Sequence, residues 1–149
     1  MRDEERLKIH LKEAKLHIER LKEILEYLKD FYPLDIDSLE EIDKDKLDAF
    51  AFRFAKLQDL LGAKIFREYL EVINFPTQDK NFLELLKELN KEGVLNIDKW
   101  AEFRSVKNSI AHDYPYDESE KIEAINYLIK NIKYLFDITQ KIENKIETS

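Results

Sequence analysis

Cysteine is absent from this chain, so it holds no disulfide, no thiolate nucleophile and no thiolate-ligated metal. Glycine and proline are nearly absent, at two and three residues. Two glycines cannot build a phosphate-cradling loop, so ATP is not bound by that device. So few breakers mean few turns and long elements between them, the signature of an all-α bundle. No apolar run approaches the roughly 18 residues of a membrane span. The opening MRDEERLKIH is charged at once and lacks an apolar signal core. Together these predict a cytoplasmic protein with no membrane partner. Positive charge is also in deficit, with a formal net charge of −7. That opposes general nucleic-acid binding, which rests on phosphate neutralisation. Any RNA contact must come from a local basic patch or be shared with a second chain.

What is present is amphipathic. Hydrophobic residues are 44% and charged residues 38% of 149, enough for one cored domain over residues 1–149. Leu7, Leu11, Ala14, Ile18, Leu21, Leu25 and Leu28 alternate four-three spacing, which predicts a long first helix ended by Pro33. An acidic connector follows, with a short turn at Ser38–Glu41. The second helix is predicted to start at a cap on Asp43 or Asp45. It runs through Leu47, Phe50, Phe54, Leu57, Leu61, Ile65, Tyr69 and Val72 to Pro76. Gly62 inside it costs about 1 kcal/mol against alanine, which points to close packing there or to a kink at Leu61-Gly62. A short third helix carries Phe82, Leu85, Leu86 and Leu89, capped by Asp79 or Asn81 and closed by Gly93. Asn96 caps a fourth with Trp100, Phe103, Val106 and Ile110 as its stripe. Asp117 or Ser119 opens a fifth with Ile122, Ile125, Ile129, Ile132, Phe136, Thr139, Ile142 and Ile146. The expected architecture is an up-and-down bundle of about five helices.

Chemistry concentrates at the end of the fourth helix. Arg104, Asn108 and His112 are spaced four and four, so they form one ridge, with Lys107 beside it. Tyr114 follows just past the predicted helix end. A group titrating near neutral pH beside fixed positive charge suits a phosphodiester. A plainer explanation exists, because cations near a helix C-terminus offset its dipole. Asn108 fits that explanation worst, since asparagine is a poor interior helix former.

The segment Arg104-Ser-Val-Lys-Asn-Ser-Ile-Ala-His-Asp-Tyr114 resembles the signature of HEPN-domain proteins, most closely the HepT-like toxins and the nucleotidyltransferase substrate-binding proteins. That pattern is Arg-Asn, three residues, His, one residue, Tyr, and Asn108, His112 and Tyr114 match its spacing. The stretch from Phe52 to Lys64 also resembles the long helix of such bundles. The resemblance implies a HEPN-like fold and a metal-independent endoribonuclease that uses no cofactor and works as a homodimer, with two motif helices lining one cleft. It implies that His112 assists proton transfer, that Arg104 and Lys107 stabilise the transition-state charge, and that Asn108 orients the histidine or holds a phosphate oxygen. The expected product end is a 2′,3′-cyclic phosphate. Tyr114 is the implied site of adenylylation by a partner minimal nucleotidyltransferase, the antitoxin of the pair. Lys107 stands where the family has arginine; it keeps the charge but lacks the planar fork. Two functional expectations follow: a toxin endoribonuclease acting on RNA, or a non-catalytic helical substrate-binding subunit of a two-protein nucleotidyltransferase.

Other candidates carry less. His10 and His17, seven apart, are read as solvated flank residues and not as metal ligands. The carboxylates Asp35, Asp37, Glu40, Glu41, Asp43 and Asp45 lack the glycine and spacing of a calcium loop. The dimer face is expected on the fourth helix with parts of the second, including Arg53 and Lys56.

Overall fold

A computed structural model describes residues 2–111 and 118–147. These residues form an all-helical bundle with no strand among them. Helix α1 is Asp3–Leu28, continued by a 3-10 turn at Lys29–Phe31; α2 is the short Ser38–Glu41. Helix α3, Lys44–Leu60, passes through a π turn at Leu61–Ile65 into α4, Phe66–Val72. Then come α5, Phe82–Lys91, and α6, Ile97–Ala111. Helices α7, Glu118–Asn131, and α8, Lys133–Glu147, complete the bundle. The five expected helices are all recognisable, and the second and fifth are each subdivided. Helix α1 lies along α3 and α4 and also meets α8, while α6 pairs with α7 and with α5.

The caps follow local chemistry. The Asp43 carboxylate accepts from Asp45 N–H at 2.9 Å to start α3. Asn81 and Glu84 form a reciprocal capping box on α5. Asn96 accepts from Lys99 N–H at 3.0 Å to start α6. Both α4 and α5 end in a Schellman motif, with Asn74 and Gly93 in the left-handed region at φ 67° and 76°. In the first, Phe75 N–H donates to Leu70 and Asn74 N–H to Glu71; in the second, Val94 donates to Leu89 and Gly93 to Asn90.

The π turn has a cause in the stripe itself. Leu57, Leu61, Ile65 and Tyr69 recur at four-four-four. In a 3.6-residue helix each such step carries a side chain about 40° around the axis. Widening the turn keeps all four buried. Gly62 sits in this turn, where an added Cβ would lie 3.3 Å from Trp100 Cζ2 and 3.7 Å from Phe82 Cζ. The close packing expected at this glycine is therefore present, and in place of a break at Leu61-Gly62 the helix continues through the π turn.

The fifth helix is a correction. Its stripe predicts one continuous helix, but the chain turns at Ile132 between α7 and α8. Asn131 donates its side-chain amide to the Tyr127 carbonyl at 2.9 Å, competing with the backbone at that point. The buried set is accordingly Ile122, Ala124, Ile125, Leu128 and Ile132, then Leu135, Ile138, Thr139, Ile142 and Ile146, with Ile129 and Phe136 of the expected stripe only partly buried.

The core is one cluster whose aromatic centre fixes α6. Phe103 is fully buried and meets Tyr127 edge-on at 5.4 Å, Tyr134 stacked at 6.0 Å and Phe54 at 6.4 Å. Trp100 meets Phe66 edge-on at 4.8 Å. No described helix is long and apolar enough to cross a membrane.

Candidate nucleic-acid cleft

With Phe103 turned to the core, the flank of α6 beside it is set by the 100° step. Trp100, Arg104, Lys107 and Asn108 follow one another at i, i+4, i+7 and i+8 and line an open cleft of about 470 Å³. The facing wall is Gln58, Asp59, Gly62 and Ala63, from the end of α3 and its π turn. Phe82, at the start of α5, closes one end. Arg67 steadies that end by donating to the Thr77 carbonyl at 3.0 Å, and Thr77 in turn donates to Glu71 at 2.8 Å.

The three sequence-predicted residues that are described, Arg104, Lys107 and Asn108, thus share one wall. Arg104 and Asn108 are exposed, and Lys107 is half-buried. Lys107 is ion-paired with Asp59 across the cleft. Arg104 makes no ion pair among the described residues, so it carries the cleft's uncompensated positive charge. His112, Tyr114 and the cap candidate Asp117 lie outside the described residues.

Sequence reasoning passed over Gln58, Asp59 and Phe82 as site residues. Gln58 had a legible signal. It interrupts the apolar stripe between Phe54, Leu57 and Leu61, where a polar side chain is out of place unless used. It is only 4% exposed, and its carbonyl oxygen accepts no hydrogen bond among the described residues.

The other two histidines correct the reading of solvated flanks. His10 donates to the Glu68 carboxylate at 2.7 Å between α1 and α4. His17 is buried, with its Nδ1 3.1 Å from Arg53 Nη1. A guanidinium only donates, so Nδ1 accepts and the ring is neutral. Burial first, then the Arg53 charge, pushes the His17 pKa down. Both rings therefore bind α1 to the second helix and neither is free as a ligand. Among the described residues, no group of histidines and carboxylates is arranged to hold a metal ion. Arg53, expected at the dimer face, holds His17; Arg53 and Lys56 flank the exposed Phe52 ring at 5.9 and 5.4 Å. Between α6 and α7, the Tyr127 hydroxyl donates to Glu102 at 2.7 Å. Burial and that bond push the Tyr127 pKa well up, while the Tyr127 and Lys99 bonds hold Glu102 low.

A cleft lined by a guanidinium that makes no ion pair among the described residues, an amide and two aromatic side chains is equipped to hold an anion with a flat apolar group attached. Comparison with family models, curated proteins and solved structures returns no match.

Proposed function

We propose that the chain is a HepT-like HEPN protein, a metal-independent endoribonuclease silenced by a partner minimal nucleotidyltransferase. The carrying observation is that Arg104, Lys107 and Asn108, which the motif groups in sequence, line one open cleft on the helix whose chain runs on to His112. The all-helical bundle is compatible with that family. In the proposed reaction His112 takes the proton of an RNA 2′-hydroxyl. The 2′ oxygen attacks phosphorus, the bond from phosphorus to O5′ breaks, and the departing oxygen takes up a proton. The product is a 2′,3′-cyclic phosphate. Arg104, with Lys107, stabilises the charge gathered on the phosphate oxygens. Two copies of the chain pool their cations in one cleft, which answers the net charge of −7. Tyr114 is the residue adenylylated by the partner, which places an anionic, bulky group beside the cations.

The test is cleavage of single-stranded RNA by the purified chain in the presence of a chelator. Cyclic-phosphate ends are expected, and His112→Ala should lower the rate by roughly 10²–10⁴-fold. No cleavage by the parent chain, or undiminished cleavage by the variant, removes the nuclease reading. A second reading is favoured by one observation: the Lys107 charge is partly answered by Asp59. On that reading the chain is the non-catalytic helical subunit of a two-protein nucleotidyltransferase. It is supported if the partner labels the chain with AMP, Tyr114→Phe prevents the labelling, and RNA stays intact throughout.

A further inference from the structure

We propose that Gln58 is the base-recognition residue of the cleft, accepting a hydrogen bond from the exocyclic amino group of an adenine, cytosine or guanine, and so disfavouring uracil, in single-stranded RNA. The inference rests on the RNA-directed reading above and deepens it by naming what part of the RNA enters.

Buried polar side chains are nearly always hydrogen-bonded. An unsatisfied amide costs about 1–3 kcal/mol. The Gln58 carbonyl oxygen is the one buried side-chain polar atom among the described residues left in that condition. It does not lie at random in the core, because Gln58 lines the same cleft as Arg104, Lys107 and Asn108. An apolar residue of similar size would fill the position without that cost. The oxygen is shielded as the side chain stands, and because the terminal torsion of glutamine is broad, rotation of the amide is the step that turns it toward an entering group.

The surroundings select the kind of group. Trp100 and Phe82 supply flat apolar walls, and Gly62 contributes no side chain between them. The π turn places that glycine opposite the indole edge. A planar ring lies against the exposed part of this aromatic lining, and base–aromatic contact is tolerant of ring identity. Discrimination then falls to polar contacts at the ring edge. A carbonyl acceptor matches the exocyclic amino groups of adenine, cytosine and guanine, and uracil has none. Arg104 stands exposed at the rim, where the phosphate attached to that nucleoside would lie, with the Asn108 amide beside it. At about 470 Å³ the cleft is within the range of small-ligand sites.

Trp100 is the chain's only tryptophan, so its fluorescence reads occupancy of this cleft directly. The probes are hexanucleotides of deoxyadenosine, deoxycytidine and deoxyuridine, which lack the 2′-hydroxyl and cannot be cleaved by the proposed chemistry. Titration of the full chain should quench Trp100, with deoxyadenosine or deoxycytidine binding roughly 2- to 12-fold tighter than deoxyuridine, the span of one neutral hydrogen bond. Gln58→Met removes the acceptor at similar volume and should bring the three probes to equal affinity. Its melting temperature, equal to or above the parent's, verifies that the variant folds. Equal binding of all three probes by the parent overturns the proposal, as does an unchanged preference in a folded Gln58→Met protein. Cleavage of RNA by the parent with a base preference that Gln58→Met leaves unaltered sinks this inference and spares the nuclease reading. Selective binding without any cleavage does the reverse.

Discussion

His17 keeps a neutral imidazole against the Arg53 guanidinium, with Glu13 and Lys56 also acting on it. The unfolded chain takes up this proton near the ordinary value of 6.5, while the folded protein resists it. The stability contributed by neutral His17 is fully present above pH 6.5 and is lost as pH falls through the depressed folded value. Denaturant midpoints should therefore decline on acidification from pH 7.5 to 5. The decline should be shallower for His17→Gln, which keeps an acceptor and cannot charge. A profile for His17→Gln as steep as the parent's contradicts the assignment. Gly62 is the second informative residue, because its Cβ position is already within 3.3 Å of Trp100. Gly62→Val should cost about 1–3 kcal/mol through overpacking. It should also perturb Trp100 emission in urea-free buffer; a variant with parental stability and spectrum would mean that the indole edge yields freely.

Between elements, one side chain acts as a loop anchor. Asn126 on α7 accepts from Leu34 N–H at 2.8 Å and donates to Leu34 C=O at 3.0 Å. This reciprocal pair ties the connector after α1 to a helix far along the chain. Asn126→Ala leaves both backbone groups without that partner and should lower unfolding free energy by about 1–3 kcal/mol. A change below a few tenths by chemical denaturation would show that water replaces the amide at no cost. The stripes made the helices legible: every apolar position expected on the first and second helices is buried or packed against the core. The caps at Asp43, Asn81 and Asn96 were readable because each offers a side-chain acceptor ahead of an apolar repeat. The turn at Ile132 was not, because the isoleucine repeat continues smoothly while the competing bond belongs to Asn131, a residue off the stripe. At the cleft, the sequence grouped Arg104, Lys107 and Asn108, which share a helix. It did not reach Gln58, Asp59 and Phe82, because their nearness to α6 depends on how three helices pack. The histidine pairings were missed for the same reason, since Glu68 and Arg53 lie on another element.

For the whole molecule, charge is the governing quantity. At −7 the chain repels a polyanion at long range, so RNA association should be confined to the cleft and depend steeply on salt. Each phosphate contact to single-stranded RNA contributes about 0.7 to the log–log salt slope. Arg104→Ala should weaken RNA binding and lower that slope by about this amount per lost contact, measured by titration between low and moderate salt. An unchanged slope would place the phosphate contacts elsewhere. The π turn at Leu61–Ile65 has a consequence at the level of chain length. A turn of that kind holds one surplus residue relative to the α-helical turn it replaces. Excising a single residue, such as Ala63, returns the spiral to regular pitch and leaves both flanking segments in phase with the interior. Ala63 is itself part of the wall facing Arg104, so the same single-codon change that regularises the helix also takes away a piece of the receptive surface.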